Sequence, residues 1–399
     1  MKELSKIALA IQPSATMAID TLFKQMKADG MDVIGFGAGE PDFATPDHIK
    51  AAGHAAIDNN DTRYTPSTGT VELRKAICNR LKTDYGLEYT FKQVAVSNGA
   101  KPCVYAALRA LVNPGDEVVL PAPFWVSYSE LIQMVGGVPV IINTKEADHF
   151  KLTAKELADA ITPKTKAMIL NNPSNPTGMM YNREELEAIA KVCQEKDIYV
   201  ISDEIYSELV YDNAEYVSFP SLSEDAKERT LLINGVSKAY AMTGWRIGYV
   251  AANEQVSEVI ANYIGHCTGP ACAVSQKAAL EALTASQSGV KHMRQAFERR
   301  RNYMVEHMNK IEGVSCIKPE GAFYVMMNIE NLIGKELFGT VIKNADDFGS
   351  LFLKYGKVAV VPGTSFHAPN FIRWSYACSI ENIKEGLRRL EMFLNEEAV

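Results

Sequence analysis

The strongest constraint on this chain is an alternation, from Val94 to Val250, of short apolar runs with stretches of helical spacing. Apolar runs fall at Val94–Val96, Glu117–Leu120, Val138–Ile142, Lys166–Leu170, Asp197–Ile201 and Leu231–Ile233, and a further one opens at Arg246. Between them the spacing predicts helices around 102–111, 127–136, 153–161 and 183–196. This rhythm predicts an α/β fold whose large, mostly parallel sheet is covered by helices on both faces. In such sheets ligands sit beyond the carboxyl ends of the strands, so the residues just after each run matter most.

A chain of 399 residues exceeds one average domain. Ahead of the alternation lie an arm, Pro13-Ser14, a predicted helix at Met17–Met26 ending at Asp29-Gly30, and a helix–turn–helix from Pro46 to Gly86. After it comes a long helical pattern, 275–311, interrupted near Ser286–Gly289. Strand-like runs then follow at Gly321–Met327, Val358–Val361 and Phe371–Tyr376, with a closing helix from Glu381. We expect an arm plus part of a small domain over 1–45, a large domain over 46–287, and a smaller α+β domain completed by 288–399.

Composition excludes several functions. With 41 basic and 48 acidic residues the net charge is −7, which disfavours nucleic acid or an anionic membrane as partner. The seven cysteines are scattered without a CxxC pair, and the histidines lack metal-ligand spacing, so reduced thiols and no metal are expected. The N-terminal apolar stretch is too short and interrupted for a secretory core, and no run is long enough to span a bilayer, so a cytoplasmic protein is expected.

The strand ends carry the chemistry. Lys238 follows the Leu231–Ile233 run and the Asn234-Gly235 turn signal, with Ser237 and Arg246 close by. An ammonium at the end of an apolar strand loses hydration, which favours the neutral amine that attacks carbonyls. Ser and Arg beside it offer a hydroxyl and a planar fork of donors suited to phosphate. Ser97-Asn-Gly-Ala-Lys101 opens a helix, so free backbone N–H groups and the positive end of the helix dipole make an anion site, to which Lys101 adds a formal charge. Trp125, Asn175 and Asp203 end three other strands; they offer a stacking ring, an amide donor and a carboxylate for a protonated ring nitrogen. Tyr64 lies on the turn between the two early helices, where its hydroxyl reaches outward, although alone it reads as a packing tyrosine. Gly35-Phe-Gly-Ala-Gly39 invites a dinucleotide reading, but Pro41 and Pro46 prevent the helix that reading needs.

As an ordered set, Gly39-Glu-Pro-Asp-Phe, Arg63-Tyr64, Asn172-Pro-Ser-Asn-Pro-Thr-Gly178, Ser202-Asp-Glu-Ile-Tyr206, Ser237-Lys238 with Arg246, and Arg373 in Ile-Arg-Trp-Ser-Tyr cover nearly the whole chain. The sequence resembles the class I/II aminotransferases of PLP fold type I, most of all the bacterial aspartate-type group that meets the distal carboxylate with a lysine. The resemblance implies pyridoxal 5'-phosphate as cofactor, with Lys238 as covalent anchor and then as the base moving a proton between the substrate Cα and the cofactor C4′. It implies that Asp203 keeps the ring nitrogen protonated, that Tyr206 and Asn175 contact the ring O3′, and that Trp125 stacks on the ring. The phosphate falls to Ala100, Lys101, Ser237, Arg246 and Tyr64, the last from a neighbouring subunit, which implies a homodimer with shared active sites. Arg373, with Asn175 and the Gly39 backbone, is implied to grip the substrate α-carboxylate.

In the group it resembles, a lysine at position 101 meets the side-chain carboxylate of aspartate or glutamate, so the resemblance implies a dicarboxylic amino acid as donor and 2-oxoglutarate as acceptor. Aromatic or prephenate transamination, or a lyase of the same fold, shares every cofactor residue. A regulator that merely senses the cofactor would need a DNA-binding module, and the residues before Pro41 hold no such motif. The segment Gly269-Pro270-Ala-Cys-Ala departs from the more polar stretch the family often has there, and Gln12 lies in the arm.

Overall fold

Apolar runs this continuous can be buried only if both faces of their sheet are covered. The computed structural model describes residues 2–12 and 15–399; Pro13 and Ser14, expected just ahead of the first long helix, lie outside them. Its largest sheet has seven strands: β1 (Val94–Ser97), β2 (Glu117–Ala122), β3 (Val138–Asn143), β4 (Thr165–Asn171), β5 (Tyr199–Asp203), β6 (Thr230–Gly235) and β7 (Gly248–Ala251). Their spatial order is β1-β7-β6-β5-β4-β2-β3, and β7 alone runs against its neighbours.

Successive side chains leave a strand on opposite faces, and here both directions are apolar. Val118 and Leu120 join a core under the helices Ala100–Leu111 and Ser127–Met134, whereas Val119 turns to the other face with Met168, Leu170 and Ile189 of the helix Arg183–Glu195. The apolar alternation predicts no element over 254–267. The structure has a helix there, Glu254–Cys267, capped by Asn253 and buried through Val256, Ile260 and Ile264.

The Asn234-Gly235 pair is not the expected turn. β6 continues through it, with Asn234 opposite Tyr249 and Gly235 opposite Gly248. Gly235 is there for close approach: a Cβ would lie 2.8 Å from the Ile247 carbonyl oxygen, and Asn234 is buried with its amide donating to Ser207 Oγ at 3.1 Å. The turn comes later, through a short 3-10 segment at Thr243–Trp245 and Arg246 at φ 57°.

The predicted helical stretch from 275 to 311 is two helices, Ala273–Thr284 and Ser288–Met308. The second begins in one core through Val290 and continues into another through Met293, Phe297, Met304 and Met308. That second core surrounds an antiparallel sheet of Val361–Pro362, Phe371–Ser375, Tyr324–Asn328 and Ser315–Cys316, in that order. Ile34–Gly35, from the N-terminal part of the chain, pairs with Val358–Ala359. This pairing carries the Gly37–Glu40 segment to the mouth of the large sheet's carboxyl edge, where it helps line a cavity.

Candidate active site

Five parallel strands deliver their following residues to one edge, and antiparallel β7 brings its entry, Arg246, to the same place. A cavity of about 440 Å³ lies there. Gly39, Ala100, Lys101, Trp125, Asn175, Asp203, Tyr206, Ser237, Lys238, Arg246 and Arg373, all singled out from the sequence, line it. Tyr64 does not: it stands 97% exposed on the loop between the helices Asp47–Asp58 and Val71–Tyr85. Gln12 is also outside the cavity lining, exposed, with its N–H donating to Glu130 Oε2 at 3.2 Å. The Gly269–Ala273 segment does not line it either.

The floor is a carboxylate in an apolar setting. Asp203, the last residue of β5, is 3% exposed, and its Oδ2 accepts from Tyr128 Oη at 2.6 Å while Oδ1 accepts from the Ile205 N–H at 3.2 Å. Burial pushes its pKa up, and the two donors and the Lys238 charge pull it back. A buried carboxylate so placed favours a cationic or proton-bearing partner above it.

Lys238 Nζ donates to the Gly39 carbonyl oxygen at 2.5 Å. Burial pulls its pKa down to about 8; Glu40 and Asp203 oppose this, and Arg246 and Arg373 reinforce it. Its neutral, nucleophilic form is therefore far more abundant near neutrality than that of an exposed lysine.

The anion cradle is assembled from three pieces. The helix Ala100–Leu111 starts after Gly99, whose φ of 106° suits glycine. A Cβ at Gly99 would fall on the Arg246 guanidinium, so this glycine lets the arginine reach the helix start. Arg246 Nη1 donates to the Thr243 carbonyl at 2.6 Å, which holds the side chain across the turn, and Ser237 joins from the other end of that turn. Free helix N–H groups, a hydroxyl and a guanidinium suit a phosphate. Lys101 Nζ lies 4.8 Å from the Trp125 ring centre at the same rim.

Opposite the cradle, Arg373 projects from Phe371–Ser375 and is 2% exposed. It donates to Asn175 Oδ1 at 3.0 Å and to the Gly37 carbonyl at 2.9 Å, and its guanidinium stacks over Tyr324, 4.4 Å from the ring centre. Among the described residues Nε has no hydrogen-bond partner, and the guanidinium's hydrogen bonds go to an amide and a backbone oxygen, with no carboxylate paired to it. A buried cation without a counter-ion needs an anionic ligand.

Three functional neighbours escaped the sequence reading. Tyr128 holds Asp203, Tyr324 shares a 3.0 Å hydroxyl contact with Tyr206, and Asn171 Oδ1 accepts from the Asn175 N–H at 2.7 Å. Tyr128 lies three positions after Trp125, one helical turn along, which was the available signal.

A depressed lysine, a carboxylate floor, a phosphate cradle and an unpaired arginine around one cavity define an enzyme that works on amino or carbonyl groups through pyridoxal phosphate. The sequence pattern of the class I and II aminotransferases matches residues 31–390. An aspartate aminotransferase of Bacillus sp. (strain YM-2) is 45% identical over 99% of this chain and 100% of its own length. A probable aspartate/prephenate aminotransferase of Aquifex aeolicus is 44% identical over 97% of each. Among solved structures, the aspartate aminotransferase of Rhizobium meliloti superposes with a TM-score of 0.96 at 38% identity, covering 99% of this chain and 100% of that one. That of Thermus thermophilus with maleate gives 0.93 at 38% identity, covering 98% and 100%. The chain belongs to the class I and II aminotransferase family. It is an aminotransferase of PLP fold type I, and its cofactor is pyridoxal 5'-phosphate.

Proposed function

We propose that the chain transfers the amino group of aspartate, or another dicarboxylic amino acid, to 2-oxoglutarate, giving oxaloacetate and glutamate. The observation that carries this is Arg373, a buried guanidinium with no carboxylate partner among the described residues, facing the cavity that Lys238 enters. It takes the substrate α-carboxylate in a two-pronged grip, with Asn175 and the Gly39 backbone beside it. Lys101, a second cation at the rim, receives the distal carboxylate. Support comes from the relatives, which are aspartate aminotransferases, and from maleate, a dicarboxylate, which accompanies the Thermus enzyme in its solved structure.

The bound cofactor supplies an electrophilic carbon and a conjugated ring that takes up the electron pair left at the substrate Cα. The chain's residues do the rest. Lys238 anchors the cofactor, then takes the proton from Cα and returns it on the other side of the C–N bond. Asp203, held by Tyr128, keeps a proton on the ring nitrogen. Tyr206 and Asn175 orient the ring oxygen, and Trp125 covers a ring face. Ala100, Lys101, Ser237 and Arg246 hold the phosphate. Tyr64, exposed in a single chain, reaches the phosphate of a partner's site in a homodimer. The division at 1–45, 46–287 and 288–399 and a cytoplasmic setting belong to the same reading.

The test is the absorbance spectrum of the purified protein before and after aspartate. Conversion of the cofactor band to the pyridoxamine form supports the donor class; comparable kcat/KM for aspartate and alanine sinks it. The aspartate/prephenate names among the relatives favour one second reading, an added prephenate activity. Measurable turnover of glutamate with prephenate would establish it.

A further inference from the structure

Five cationic side chains, Lys24, Lys101, Lys238, Arg246 and Arg373, and two carboxylates, Asp203 and Glu40, line the cavity. Asp203 is committed at the floor to Tyr128 and Ile205. Glu40 is different: it is exposed at the rim of a site whose ligands are anions, and it repels them. A charge placed against the site's own purpose calls for a local one.

The hydrogen bonds show where Glu40 is tied. Thr243 Oγ1 donates to Glu40 Oε2 at 2.8 Å, and the Thr243 carbonyl accepts from Arg246 at 2.6 Å. One residue back, the Gly39 carbonyl accepts from Lys238 Nζ at 2.5 Å. The Gly39-Glu40 pair, delivered from the small-domain side, is thus fastened at two points to the turn that carries Lys238 and Arg246. The charges facing Lys238 are Arg246 on its own turn, Asp203 after β5, Arg373 on Phe371–Ser375, and Glu40; the Phe323 ring lies 6.0 Å away. Both arginines oppose a proton on Lys238, and Glu40 is the strongest charge favouring one.

We propose that Glu40 is a positioning residue for Lys238: anchored through Thr243, its carboxylate supplies the counter-charge when Lys238 takes the substrate's Cα proton. This rests on the reading of Lys238 given above. In that step the Cα–H bond breaks, its proton bonds to the Nζ lone pair, and its electron pair is left at Cα, where the bound cofactor would take it up. An ammonium forming among arginines is disfavoured, and a fixed carboxylate at the rim lowers that barrier without entering the reaction.

The test uses the holoenzyme and three variants, Glu40→Gln, Glu40→Asp and Thr243→Val. Glu40→Gln keeps an acceptor for Thr243 and removes only the charge. Its absorbance titration of the lysine-linked cofactor should move to lower pH by about half to one unit, because a cation near Lys238 has lost its partner. Turnover should fall about three- to tenfold with KM for the amino acid changed less than about twofold. The isotope effect with Cα-deuterated aspartate should grow, since proton removal becomes slower. Glu40→Asp should restore most of the titration midpoint, and Thr243→Val, which leaves the charge unanchored, should shift it in the same direction by less. A Glu40→Gln enzyme with an unmoved midpoint and an unchanged isotope effect overturns the proposal. That failure differs from failure of the functional reading, in which the wild-type protein itself would show no lysine-linked absorbance.

Discussion

The floor and the rim of the cavity are built by different means. At the floor Asp203, Tyr128, Tyr206 and Arg373 are all buried, and each is held by hydrogen bonds from within this chain. At the rim Lys101 and Glu40 are exposed, and Tyr64 stands clear of the cavity altogether. The floor is buried and fastened within the chain, whereas at the rim Glu40 is tied at the surface through Thr243 and Lys101 lies beside the Trp125 ring. Electrostatic preorganisation matters most where charge develops, so the steepest losses in chemistry should come from the floor, whereas at the rim Glu40 tunes the proton transfer modestly and Lys101 sets selectivity.

That contrast can be broken by substitution. Lys238→Ala should cost the most, about 10⁴-fold or more in kcat, since anchor and base vanish together. Circular dichroism and Tm near those of the wild type would show the fold intact; retained activity would remove the whole assignment. Asp203→Asn comes next, with proton abstraction slowed about 10³-fold because the ring nitrogen loses its proton. Deuterium exchange at the substrate Cα measures it, and a near-normal rate would place the electron sink elsewhere.

At the rim, Lys101→Met should lower kcat/KM for aspartate about 10- to 100-fold while alanine changes little. An equal loss for both substrates would mean that Lys101 serves the phosphate alone. Lys238, drawn down to about 8 by burial, gives a pH prediction. Its neutral form grows as pH rises through that value, so capture of pyridoxal phosphate by the unloaded chain should speed up about tenfold between pH 7 and 9 and then level off. A rise continuing past pH 10 would describe an ordinary exposed lysine. Tyr64→Phe should have the smallest effect, about three- to tenfold in cofactor affinity. If Tyr64 serves a partner's site, mixing it with inactive Lys238→Ala chains should yield dimers in which one site regains the wild-type affinity.

Much of this was legible because the strand-end residues are few and chemically distinctive. Asp203, Lys238 and Arg373 are charged residues beside apolar runs, a placement that costs free energy without a purpose. Tyr128 and Tyr324 were not legible, since a tyrosine in a helix or strand reads as packing until its hydroxyl partner is known. Asn234-Gly235 misled because a turn signal is local, while the close approach of Gly248 that requires the glycine comes from a strand further along. The helix Glu254–Cys267 carries its own signals, Asn253 as cap and apolar residues every four positions, but lies beyond the strand–helix alternation that ends at Val250.

The pairing of Gly99 with Arg246 bears on how such a protein can be diversified. Position 99 is restricted twice, by a φ of 106° and by the guanidinium that would meet any Cβ. A library randomised at both positions separates the two restrictions. Recovery of glycine at 99 whatever stands at 246 would assign the restriction to the backbone. Recovery of alanine at 99 only beside a shortened residue 246 would show two distant positions inherited as one.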